Sequence, residues 1–187
     1  MIPFTRKDWI VYLSHYFVDF INEGGKILDF GAGDGFISEY LAKKKNLAVE
    51  LLDICDRNKT PLPLTVYDGK KIPFKENSFD IALSIAVFHH IPKKEQCILL
   101  MQLQKVARRI IFIEDTPTNC FEWFFNAVGD TIANAPKGMP LPYSYKSEKK
   151  WFEVFKGLGL RVIYKKRVAP WYPIHRTLFV LENAQTL

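Results

Sequence analysis

Three glycines at alternating positions give residues 29–35 the character of a binding turn. The segment reads Asp-Phe-Gly-Ala-Gly-Asp-Gly; it begins within the apolar run 27–30 and precedes an amphipathic segment containing Ile37 and Leu41. This order predicts a strand, a turn and a helix. Glycine permits a left-handed backbone and leaves no side chain between the turn and a ligand at the helix N-terminus. The turn is therefore a candidate site for a nucleotide-like ligand.

The spacing of these glycines excludes two common nucleotide motifs. The dinucleotide fingerprint G-x-G-x-x-G requires glycine where the chain has Phe36, and no Gly-Lys-Ser/Thr phosphate loop follows. A second acid, Asp53, ends the next apolar segment. An acid about 20 residues beyond such a turn can accept hydrogen bonds from both hydroxyls of a ribose. Alternatively, residues 29–35 are an ordinary glycine-rich turn and Asp53 is a turn-forming aspartate. The spacing between the glycines and Asp53 favours an adenosine ligand.

Two adjacent histidines, His89 and His90, follow the predicted strand 81–84. Ligands of open α/β sheets bind beyond the carboxyl ends of the strands. Imidazole titrates near neutral pH, so either histidine can take a proton from a substrate. Alternatively, one or both only shape the turn and pack against the sheet. We predict His89 and His90 as the catalytic candidates and no metal site.

Three segments, in this order, resemble motifs of the class I S-adenosylmethionine (SAM) dependent methyltransferases. Residues 29–35 are similar to motif I, D/E-x-G-x-G-x-G, and residues 68–74 to the segment G-D-A-x-x-L-P-F. Residues 78–91 resemble S-F-D-x-V-x-S-x-x-x-L-H-H-I of the methyltransferase type 11 group, which includes ubiquinone and menaquinone biosynthesis enzymes. The resemblance implies SAM as cofactor, with adenine recognised at Asp68. The cofactor-binding residues it implies are Asp29, Gly31, Ala32, Gly33, Gly35, Asp53, Ile54, Asp68, Gly69, Ser84 and Ala86.

The order of predicted elements is that of an α/β protein with a Rossmann-like, doubly wound sheet of seven strands in three layers. Besides the strands named above, apolar runs predict strands at 47–52, 64–67, 109–114, 160–164 and 177–181. Pro61 and Pro63 prevent a helix between the second and third strands, so one crossover helix is missing or vestigial. The resemblance implies the spatial order 3-2-1-4-5-7-6 with an antiparallel last strand.

Two segments do not belong to the alternating strands and helices of this predicted fold. Thr5 and Asp8 fit a capping box at the start of an amphipathic helix predicted over residues 5–23. Residues 117–146 combine a helical apolar pattern with a proline-rich loop. Class I enzymes build their substrate cover at this place, so we expect a cover here. No linker or repeat divides the chain, which predicts one domain over residues 1–187.

Composition and charge restrict the class further. Cys55, Cys97 and Cys120 have no CxxC spacing, which argues against a disulfide scaffold or a zinc site and favours a reduced, cytoplasmic location. No apolar run approaches the roughly 20 residues of a membrane span. The formal charge of +6 is concentrated in residues 137–187, with ten Lys/Arg and three Asp/Glu. Solvated faces explain such an excess, as does contact with nucleic acid or the surface of a membrane.

We therefore predict methyl transfer from SAM to the oxygen, carbon or nitrogen of a small-molecule acceptor. The sequence does not identify the acceptor, and it does not indicate the oligomeric state of the protein. An RNA or protein methyltransferase using the basic C-terminal third is the first alternative. The sequence has Ile85-Ala86-Val87 where enzymes that methylate base amino groups carry N/D-P-P-Y/F. A SAM-binding accessory subunit without turnover is the second alternative.

Overall fold

The computed structural model of the chain describes residues 5–170 and 174–184 and contains a seven-stranded sheet in the order β3-β2-β1-β4-β5-β7-β6. This confirms the predicted fold class and strand order. Strand β7 runs antiparallel to β5 and β6, and the other paired strands are parallel. The strands are β1 (Lys26–Phe30), β2 (Ala48–Asp53), β3 (Leu64–Val66), β4 (Phe79–Ile85), β5 (Ala107–Asp115), β6 (Leu160–Val168) and β7 (Arg176–Asn183).

Helices cover both faces of the sheet because each buried strand alternates its side chains between two cores. One core packs against α3 (Lys93–Val106) and α5 (Glu148–Gly157), with Trp151 and Phe155 fully buried. The other packs against α1 (Arg6–Ser14) and α2 (Phe36–Lys45). A fifth helix, α4 (Cys120–Asn134), follows β5 and belongs to neither core.

The connection between β2 and β3 contains no helix, as the prolines predicted. Side-chain bonds of Asn58 hold this loop instead: its Nδ2 donates to the carbonyl of Leu62 at 2.8 Å and its Oδ1 accepts from the amide of Thr60 at 2.9 Å. Leu62 and Leu64 pack against the core beside α2. That sheet face is closed by α1 and the turn after it, where Leu13 and Phe17 are fully buried.

The N-terminal helix is shorter than the predicted range 5–23. The capping box of Thr5 and Asp8 is present, but α1 ends at Ser14, and a 3-10 turn follows at Val18–Phe20. The Ser14 hydroxyl donates to the carbonyl of Val11 at 2.8 Å, a local bond that competes with helix continuation. The tighter turn then directs Val18 into the core, which a continuous helix spacing does not anticipate.

Candidate active site

The glycine turn after β1 lies against the ends of β2 and β4. Gly31 has a left-handed backbone (φ 73°), and its amide donates to the carbonyl of Leu52 at 2.7 Å. A Cβ at Gly31 would lie 2.6 Å from the methyl groups of Val87, so only glycine allows this approach. At Gly33 (φ 59°) a Cβ would meet no atom within 4 Å. The turn is therefore packed on one side and leaves space open in front of Gly33.

Asp29 is buried and holds the turn to the helix that follows. Its Oδ2 accepts a hydrogen bond from the Ser38 hydroxyl at 2.7 Å, linking β1 to α2. Burial, followed by the charges of Asp53 and Asp34, raises the pKa of Asp29 to about 7, although the bond from Ser38 acts in the opposite direction. Within the turn, the amide of Ala32 lies 3.4 Å from the carbonyl oxygen of Leu52, and Gly35 (φ 76°) is the N-cap that precedes α2.

Asp53, at the end of β2, has its carboxylate beside this turn. One oxygen accepts from the amide of Gly33 at 2.9 Å, and the other accepts from the amide of Ile54 at 2.7 Å. Arg57 adds an ion pair at 3.3 Å to the second oxygen. Sequence reasoning missed Arg57, because nothing in its spacing showed that the loop returns toward Asp53. A ribose that bonds Asp53 would compete with this guanidinium.

Ile54 and Gly69 form one wall next to Asp53. A Cβ at Gly69 would lie 3.4 Å from the Ile54 side chain, and Ile54 is 45% exposed. Asp68 is exposed, and its Oδ1 accepts from the amides of Lys70 at 2.8 Å and Lys71 at 3.0 Å. These backbone bonds lower the pKa of Asp68. The contact of Asp68 with adenine remains a prediction. One carboxylate oxygen of Asp68 is already bonded to the amides of the turn that follows it.

Ser84 lies inside β4, and Ala86 follows the strand directly. Ser84 is fully buried, and its hydroxyl has no hydrogen-bond partner within residues 5–170 and 174–184. Ala86 has a left-handed backbone (φ 55°) and donates its amide to the carbonyl of Ile113 at 2.7 Å. Such a conformation costs a non-glycine residue about 1–3 kcal/mol and is concentrated at functional sites. It turns the chain so that Val87 packs on Gly31.

A cleft of about 90 Å³ connects the turn with the second histidine. It is lined by Phe30, Gly31, Asp53, Ile54, Arg57, Tyr67, Ala86, Val87, His90, Ile91, Met139 and Pro140. SAM fits these residues: Asp53 can accept from ribose hydroxyls, and Gly33 leaves room beside it. Ligand pockets are typically at least about 300 Å³. We therefore expect Arg57, or the segment with Met139 and Pro140, to move when a ligand of the size of SAM binds.

His89 is buried between two carboxylates. Its Nδ1 lies 2.7 Å from Glu114 Oε2, and its Nε2 lies 3.4 Å from Asp130 Oδ2. Glu114 is fixed in turn by the amides of Val87 at 2.7 Å and Phe88 at 2.6 Å. Burial alone would lower the pKa of His89, but these carboxylates outweigh it and raise the pKa to about 10. Both ring nitrogens then carry protons at neutral pH and donate.

His90 has the opposite environment. Its side chain lines the cleft, and its Nδ1 lies 3.0 Å from the carbonyl oxygen of Pro140. A carbonyl can only accept, so Nδ1 carries the proton and Nε2 keeps its lone pair. Burial, and then the charge of neighbouring His89, lower the pKa of His90. The structure therefore separates two histidines that the sequence treated alike.

The segment after α4 is attached to the histidine turn. The Tyr145 hydroxyl donates to Asp130, the Ser144 amide donates to the carbonyl of His89 at 3.0 Å, and the Tyr145 ring stacks on His89. The ligand-capable atoms of His89, His90 and Asp130 all lie within 4.8 Å of one another, a grouping that sequence spacing did not indicate. His89 already pairs with Glu114 and Asp130, so we interpret this group of side chains as a hydrogen-bonded network.

Comparison with known proteins places this geometry in a class. Residues 28–108 match the family model described as "Methyltransferase domain", of type 11. A chain from the complex between the Haloferax volcanii Trm112 methyltransferase activator and a methyltransferase superposes with a TM-score of 0.72 at 15% identity, over 94% of this chain and 91% of that one. The PH0226 protein of Pyrococcus horikoshii OT3 gives 0.71 at 14% identity, over 98% and 94%.

The fold and the matched domain define the class: class I SAM-dependent methyltransferases, whose cofactor is SAM. Within that class, the matched residues are similar to the type 11 methyltransferase domain. A curated relative, tRNA (carboxymethyluridine(34)-5-O)-methyltransferase alkbh8 of Xenopus tropicalis, is 31% identical over 109 residues. The aligned part is 52% of this chain but 17% of that protein. No helix among the described residues is long and apolar enough to cross a membrane.

Proposed function

We propose that the chain transfers the methyl group of SAM to a small-molecule acceptor bound between the glycine turn and the Met139–Pro140 cover. The observation that carries the proposal is the composition of the cleft. His90 lines the same cleft as Gly31 and Asp53, at the edge of the sheet where the parallel strands end. An acceptor under the cover would lie beside both the cofactor residues and a neutral imidazole.

When bound, SAM supplies a methyl group activated by a sulfonium, so the protein mainly has to align the acceptor. Asp53 and the open space at Gly33 serve the cofactor side. His90 Nε2 takes the proton of an acceptor hydroxyl, amine or acidic carbon. His89 remains protonated between Glu114 and Asp130, and its role is to hold the turn that presents His90.

The cover favours a small acceptor over a polymer. Met139 and Pro140 line the cleft, the Pro140 carbonyl oxygen lies 3.0 Å from His90 Nδ1, and the Ser144 amide donates to His89, which supports a cover at this segment. The basic C-terminal third is also partly neutralised. Arg161 pairs with Glu182 at 3.3 Å and Lys165 with Glu148 at 2.6 Å, which leaves fewer cations for a phosphate backbone.

Transfer to RNA is the second candidate, and the tRNA methyltransferase relative favours it. That protein is much longer than this chain, and its substrate belongs to the whole protein. An RNA acceptor would require the cover to move away from the cleft, so that an unstacked base can enter it. Protein methylation and an accessory role without turnover complete the alternatives.

Incubation with methyl-labelled SAM and cell extract divided into RNA, protein and small-molecule pools tests the proposal. We expect label in the small-molecule pool, lost in Asp53→Ala but retained in Asp56→Ala, which removes an exposed acid three residues away. Label in the RNA or protein pool would assign the acceptor there instead. SAM binding without label in any pool would indicate an accessory subunit.

A further inference from the structure

Helix α4 presents an uncharged apolar face to solvent. Phe121 is 74% exposed, Ile132 73%, Phe125 63% and Phe124 59%. These residues share one side of the helix because they recur at helical spacing. The opposite side carries Asn126 and Ala127, which are buried. Large contiguous apolar patches of this kind mark binding surfaces.

The charges around this face are predominantly positive once ion pairs are considered. Of the two acids in α4, Asp130 pairs with His89, whereas Glu122 accepts from the Thr118 amide at 2.7 Å and keeps its negative charge. Lys137 lies in the turn directly after α4, and Lys150 lines a groove with Cys120 and Trp123 at its start. Lys149 is exposed beside it. Within the described ranges, no acid pairs with these three lysines.

We propose that the exposed face of α4 docks on the surface of a lipid bilayer that contains anionic headgroups. A helix that lies in the interface inserts its apolar side chains below the headgroups and keeps lysines at headgroup level. The phenylalanines of α4 supply the first feature, and lysines near each end of the helix supply the second. Docking at this surface does not depend on the identity of the acceptor.

The same charges disfavour a second copy of the chain as the occupant. A two-fold interface brings the same patch of both subunits together. Such an interface would gather Lys137, Lys149 and Lys150 of both subunits, and Glu122 is the one acid of α4 outside an ion pair with the described residues that could oppose them. An anionic bilayer meets both the apolar face and the lysines, so the observations favour lipid.

Sedimentation with vesicles tests the docking surface. We expect the intact chain to bind vesicles of phosphatidylcholine mixed with phosphatidylglycerol, and to bind phosphatidylcholine alone much more weakly. Phe124→Ser with Phe125→Ser should weaken binding roughly tenfold per residue, because each ring loses apolar burial. Lys149→Gln with Lys150→Gln should weaken it about fivefold per residue, an effect that high salt suppresses.

The matched control for the rings is Ile98→Ser with Met101→Ser, which removes exposed apolar side chains from α3, 54% and 43% exposed. This control should bind as the unmodified chain does. Circular dichroism checks that each variant is folded. No binding to anionic vesicles, or equal losses in the α3 and α4 variants, would overturn the proposal. A dimer in ultracentrifugation that the α4 substitutions dissociate would assign the face to a second copy.

Discussion

His89 and His90 are neighbours in sequence, yet their surroundings give them opposite chemistry. His89 is 3% exposed, and each ring nitrogen faces a carboxylate. His90 lines the cleft and has a carbonyl on one nitrogen only. A proton acceptor must be neutral with an available lone pair, and this condition selects His90.

Substitution of His90 should separate proton transfer from binding. His90→Ala should lower turnover roughly 10²–10⁴-fold while leaving SAM affinity nearly unchanged, and His90→Gln should give a similar loss because glutamine cannot take a proton. Since the pKa of His90 is lowered, the turnover of the intact chain should fall only below about pH 6.5. Steady-state kinetics across pH measure both effects, with His15→Gln at an exposed histidine as control. A near-normal rate in His90→Gln would leave His90 as an orienting residue.

The raised pKa of His89 predicts a pH-dependent contribution to folding. An unfolded histidine has a pKa of about 6.5, and the folded value is about 10. The stabilisation is therefore fully present below pH 6.5 and is lost as pH rises through about 10. We expect the difference in free energy of unfolding between the intact chain and His89→Gln to shrink over this window, measured by urea denaturation. A difference that stays constant from pH 6 to about 10 would contradict the ion-pair assignment.

At the scale of elements, one side chain of α3 reaches the segment that we propose as the cover. Gln96 is fully buried, and its Nε2 contacts the carbonyl oxygens of Phe88 at 2.6 Å, Ile91 at 3.2 Å and Ser144 at 3.2 Å. These oxygens belong to the histidine turn and to the cover. One amide group thus connects α3, the turn that presents His90, and the segment over the cleft.

Removing this connection should loosen the cover more than the cofactor site. We expect Gln96→Ala to cost about 1–3 kcal/mol of stability, because buried carbonyls lose their donor. Hydrogen exchange across residues 138–145 should accelerate and the KM for the acceptor should rise, while SAM affinity is retained. Gln102→Ala is the control, since Gln102 is also on α3 but its side chain bonds the backbone of Lys70 and Ile72 and not the histidine turn. Unchanged exchange in the Gln96 variant would show that the cover is held by other contacts.

At the scale of the whole molecule, the sequence predicted the elements well because buried parallel strands are read from apolar runs. Pro61 and Pro63 also predicted the absent helix correctly. The apolar residues of α4 recur at helical spacing, as predicted, but they face solvent. Periodicity shows that residues share one face of a helix and does not show which way that face points. The sequence pattern did not predict two ion pairs of the site: Arg57 with Asp53, which depends on the path of a loop, and His89 with Glu114, which lie 25 residues apart.

The fold brings the ends of β1, β2 and β4 to one edge, and the claim that this edge holds SAM depends on the open space at Gly33. Gly33 and Gly24 form a matched pair: both have left-handed backbones (φ 59° and 71°), and a Cβ at either would meet nothing within 4 Å. Only Gly33 contacts Asp53, through its amide. Alanine at either position imposes a similar backbone strain.

Calorimetric titration of SAM into Gly33→Ala and Gly24→Ala tests this claim most directly. We predict that both variants lose similar stability, that Gly24→Ala binds SAM as the intact chain does, and that Gly33→Ala binds it at least about tenfold more weakly, since its new methyl group occupies the cofactor's space. The intact chain should show no comparable binding of NAD. Equal SAM affinity in the two folded variants would contradict the assignment of the glycine turn as the cofactor site.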